Sequence, residues 1–147
     1  MITLKTLKSA SLQDIFDQAA KHLLTQMAVS LYYPLGFDLL SGSPEDAPCA
    51  YRGVGGLKCV VGCFMEDDEY GPEFEGIVWG GLLYDGHLAQ YGLRPEDEYH
   101  PAVTLLRQLQ PIHDYSLPSE WAGQLQIVAK HNNLEFKGVE YYSGAGQ

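Results

Sequence analysis

This sequence predicts a mainly α fold, with a minor β element at most: one compact helical domain over residues 1–147 carrying a small β-hairpin around residues 49–65. Two segments repeat their apolar residues at spacings of three and four, the helical period. A third opens on a proline placed to start a helix. The length suits one domain, and a 46% apolar share is enough to close a core without staples.

The first helix should run from about Leu12 to Val29. Ser11 is a good N-cap, and Asp14 stands where the acidic partner of a capping box belongs. Leu12, Ile15, Phe16, Ala19, Leu23 and Met27 then share one stripe. Residues 31–48 are interrupted by Pro34 and Gly36 and rich in turn formers, so they read as an irregular linker. The hairpin follows, turning at Gly53 to Gly56 and returning through Lys58 to Met65. Pro101 should start a helix burying Val103, Leu106 and Leu109, and Pro111 should kink or end it near Leu109. A last helix from about Ser119 to His131 aligns Trp121, Leu125 and Val128, with Asn132 and Asn133 as a left-handed stop. The tail 141–147 reads as flexible. The core should also draw on Val60 and Val61.

Charge is concentrated. Glu66 to Glu98 holds ten acids against one base, −9 of the chain's −10. Such a surface disfavours direct contact with nucleic-acid phosphates and favours docking on a basic protein surface. The interaction residues expected on this ground are Glu66, Asp67, Asp68, Glu69, Glu73, Glu75, Glu96, Asp97 and Glu98. No apolar run is long enough for a membrane span, and the first residues lack a signal-peptide layout. With three cysteines, an odd number, no disulfide framework is indicated, and reduced thiols in a cytoplasmic setting are expected.

All three cysteines lie in the 15 residues from Cys49 to Cys63, with four glycines and two basic side chains. Three chemical readings compete there. A thiol enzyme would use Cys59, beside Lys58, with His113 as base, making a small hydrolase or transferase. A zinc site would use Cys49, Cys59 and Cys63 plus a histidine, but only one close cysteine pair is present. On a strand, Cys59 and Cys63 would stand about 13 Å apart. The third reading is architectural, with Cys49, Tyr51, Arg52, Gly53, Gly56, Lys58, Cys59 and Gly62 shaping a loop. Arg52 and Lys58 would orient it by pairing with acids or carbonyls. Architecture is the reading adopted, so no cofactor, metal or catalytic residue is expected. An EF-hand fails in both frames around Glu66, since Tyr70 or Pro72 falls where a ligand or the glycine is required. A phosphate loop fails because Leu57 separates Gly56 from Lys58.

The pattern Cys-x-Tyr-Arg-Gly-x-x-Gly-x-Lys-Cys-x-Val-Gly at 49–62 resembles a motif of small uncharacterised proteins found in bacteria, prophages and phages. Leu12 to Phe16, His22 to Gln26 and Leu109 to Asp114 are similar to the same family. The resemblance implies a small phage-related protein, and it carries over no activity or site. The function expected is a non-enzymatic modulator docking a basic host partner, such as a nucleic-acid-binding or defence protein, through the acidic face.

Overall fold

Ser11 caps the first long helix, its Oγ accepting the N–H of Asp14 at 3.1 Å. The computed structural model describes residues 1–31 and 49–144, so the linker expected at 31–48 lies, apart from Leu31, outside the described residues. Helix α1 spans Leu12–Gln26 and stops at Met27, which takes a left-handed conformation with φ 49°. Helix α2 is Trp79–Tyr84, α3 Pro101–Tyr115, α4 Trp121–His131 and α5 Val139–Ser143. Short 3-10 segments join them, the first being Leu4–Ser9. Helix accounts for 62% of the described residues, which hold no strand or sheet.

The hairpin at 49–65 is therefore a misreading. Only an isolated bridge between Arg52 and Lys58 forms. The backbone groups a ladder would need are taken elsewhere. Glu75 accepts the N–H groups of Tyr51 and Arg52, while His22 and Gln26 hold the carbonyl of Lys58. Val61–Phe64 then winds into a 3-10 turn.

Pro111 neither ends nor breaks α3, which continues to Tyr115. Pro111 and Arg107 are exposed, so water can serve the carbonyl that proline leaves without an amide partner. The buried face, Leu109, Ile112 and His113, meanwhile holds the helix together. Pro101 does occupy the first turn, behind a cap in which His100 Nδ1 accepts the Ala102 N–H.

Helix α1 packs on α3, α4 and α5. Its Ile15, Phe16, Ala19 and Leu23 are buried with Val60, Val61, Leu106, Leu109, Trp121 and Leu125, while Leu12 and Val128 pack at the margin. Trp79 and Trp121 satisfy their indole N–H groups on the carbonyls of Val103 and Ser116. Near the end of the described residues the chain packs back on α1. Tyr142 sits edge-on to Phe16, and its hydroxyl donates to Asp17 at 2.7 Å. Lys137 reaches the other oxygen of Asp17 at 2.7 Å. Among the described residues no helix is long and apolar enough to cross a membrane.

Candidate functional site

The 49–62 motif forms a tight crossing. A Cβ on Gly62 would stand 2.0 Å from the carbonyl oxygen of Tyr51, so only glycine fits there. Arg52 lies over the ring of Tyr70, 4.9 Å from its centroid, and donates to Asp67 at 2.7 Å and to the Met65 carbonyl at 2.9 Å. Lys58 is held by its backbone, its N–H donating to Gln26 at 3.0 Å. Tyr51 donates its hydroxyl to the carbonyl of Ile77.

Beside this crossing lies a cleft of about 470 Å³ between the motif, the start of α2 and the end of α3. Its walls include Ala50, Ile77, Val78, Trp79 and Tyr115, with Cys49, Tyr51, Cys59, Gln110 and Asp114 as the polar members. Asp114 Oδ1 accepts from His113 Nδ1 at 2.8 Å and from Gln110 Nε2 at 2.9 Å. Gln110 in turn accepts the Val61 N–H at 2.9 Å, tying α3 to the motif. Burial, aided by the charge of Asp114, pushes the Cys49 thiol up to about 12. Burial likewise pushes Cys59 and the Tyr51 phenol upward. Among the described residues of the lining, Asp114 is the one acidic side chain.

His113 is buried and stacked on Trp121 with ring centroids 5.8 Å apart. Its Nε2 accepts the backbone N–H of Ser30 at 2.8 Å. That bond puts the ring proton on Nδ1, where it meets Asp114. Cys49, His113 and Asp114 do offer ligand atoms within 4.8 Å of one another. Yet a metal at Nδ1 would have to displace that proton, and moving it to Nε2 would set it against the Ser30 N–H. For the same reason neither nitrogen has a lone pair free to deprotonate a thiol.

The sequence-derived alternatives fare differently. Among the described residues no hydrogen bond joins Cys59 to His113; Cys59 Sγ accepts the Gly62 N–H at 3.3 Å instead. The three cysteines do not converge into a ligand group with one another. It is Cys49 that approaches the His113–Asp114 pair, its Sγ lying 3.9 Å from the Asp114 carbonyl oxygen.

The acidic residues divide into two kinds. Glu69 is buried and accepts the N–H groups of Leu4, Lys5 and Glu66. Glu75 serves Tyr51, Arg52 and the Tyr70 hydroxyl, and Asp97 accepts the Arg94 N–H at 2.9 Å. Glu66, Asp67, Asp68, Glu73, Glu96 and Glu98 remain exposed. Lys5 pairs with Asp68 at 2.9 Å and Lys8 with Asp97 at 3.1 Å. The segment Leu4–Ser9 thus pairs with two acidic turns that are distant in sequence. Gln110 and Asp114 carry no local signal as parts of a cleft, because nothing in the spacing marks a helix end that meets a loop about 60 residues earlier.

No protein-family model, curated protein or solved structure matches this chain.

Proposed function

We propose that this chain is a non-enzymatic interaction protein that docks a basic protein partner through its acidic face. In this reading it is a phage- or mobile-element-encoded modulator of a host nucleic-acid-binding or defence protein, in keeping with the 49–62 resemblance. The observation that carries the docking reading is the pair of bonds Lys5–Asp68 and Lys8–Asp97. They bring the Glu66–Asp68 and Glu96–Glu98 turns to one short segment, Leu4–Ser9. An exposed ion pair such as Lys5–Asp68 contributes about 0–1 kcal/mol to folding, so Asp68 can turn to a partner's lysines and arginines at small cost.

The test is capture of a partner from host lysate by the wild type and by a variant carrying Glu66→Gln, Asp67→Asn, Asp68→Asn, Glu96→Gln and Glu98→Gln. Glu69, Glu75 and Asp97 are left intact because they serve the fold. Capture should be strong at about 0.05 M salt and weak at about 0.5 M, where screening shortens the reach of charge. It should be lost in the variant. A specific partner retained through both changes would overturn acidic docking.

A further inference from the structure

Asp114 carries a charge that no cation of this chain neutralises. Its side chain is 23% exposed, and the one ring beside it, His113, holds a single proton because its other nitrogen accepts from Ser30. No lysine or arginine makes an ion pair with it among the described residues. The segments outside the described residues, 32–48 and 145–147, contain no Lys, Arg or His. A partly desolvated carboxylate without a counter-charge is costly to keep. Here it sits in a cleft whose other walls are largely apolar, Ala50, Ile77, Val78 and Trp79 among them. Among the described residues, carbon walls with a single anionic site match the outline of an alkyl chain ending in a cation.

The bonding of Asp114 narrows the choice of cation. Oδ1 already accepts twice, from His113 and Gln110, whereas Oδ2 accepts from no described group. A guanidinium binds best across two free oxygens, while an ammonium is a point charge satisfied by one. Val78 lines both the cleft and a neighbouring groove that holds Asp85, Glu98 and Arg107, two acids against one base.

We propose that this cleft receives a lysine side chain of the partner, its methylenes against Ile77, Val78 and Trp79 and its ammonium on Asp114. The inference rests on the docking reading and specifies which side chain anchors it.

The probe is N-acetyl-lysine methylamide, titrated against the whole chain while backbone amide shifts are followed by NMR. Saturable shifts are expected at Ala50, Ile77 and Val78. The norleucine and arginine analogues should bind at least tenfold more weakly, a comparison that needs no variant. Asp114→Asn keeps an acceptor for His113 and should weaken lysine binding at least tenfold at an unchanged unfolding midpoint. Norleucine or arginine binding as well as lysine, or Asp114→Asn binding as well as wild type, would sink the proposal. The surface variant with five neutralised acids separates the two ideas. If it still binds the lysine probe while wild type captures no basic partner, the cleft stands and docking falls. If it loses the partner while the cleft shows no lysine preference, docking stands and the cleft falls.

Discussion

The backbone N–H of Ser30 donates to Nε2 of His113 across 2.8 Å, joining two residues 83 positions apart. A ring pinned on both nitrogens is a clamp between the end of α1's exit and the C-terminal turn of α3, not a proton carrier.

Replacing His113 should accordingly cost folding. His113→Ala removes a fully buried ring from Trp121 and strands the Ser30 N–H, so a loss of about 3 kcal/mol is expected. Urea denaturation measures it. A variant as stable as wild type would show that the clamp contributes little.

Two glycines predict opposite outcomes for the same substitution. Gly62→Ala drives a methyl into the Tyr51 carbonyl, rigid backbone on both sides, and should cost about 3 kcal/mol or more. Gly123→Ala falls inside α4 with nothing within 4 Å. It should stabilise by about 0.5–1 kcal/mol through helix propensity. Thermal melts of the two variants beside wild type suffice, and a tolerated Gly62→Ala would refute the tight crossing.

The thiols predict an alkaline limb of stability. Burial raises Cys49 to about 12 and raises Cys59 and Cys63 as well. Below about pH 8.5, where an unfolded thiol ionises, both states keep their protons and stability does not respond to these groups. Above it the unfolded chain releases protons first, so stability falls as pH rises towards the folded-state values. One unit above that point each thiol should cost about 1.4 kcal/mol. Urea midpoints between pH 8 and 10 test the slope, which Cys63→Ala should flatten by its share. A flat profile in the wild type would mean the thiols are open to solvent.

Legibility in the sequence followed the range of the forces involved. Ser11, the Ile15–Leu23 stripe, Pro101 and the Trp121–Leu125 repeat act within a few residues, so the long helices could be read directly. The segment 49–65 could not, because its backbone partners, Glu75, His22 and Gln26, come from outside it. Pro111 misled for a related reason: its local penalty is real, but exposure and the buried neighbours on the other face outweigh it. Among the acids, composition spoke for the cluster as a whole and was silent on Glu69, which faces inward to hold the Leu4–Ser9 turn. Asp114 gave no signal beyond standing next to a histidine.

The seating of Tyr142 on Phe16 and Asp17 sets an order of events during synthesis. Helix α1 leaves the ribosome early, yet the ring that covers Phe16 and the hydroxyl and ammonium that hold Asp17 arrive some 120 residues later. Translation at about 5–20 residues per second leaves that apolar surface uncovered for several seconds. Until α5 follows, that face of α1 has no cover from Tyr142 or Lys137, and a chain cut before residue 137 should leave Phe16 and Asp17 without these contacts.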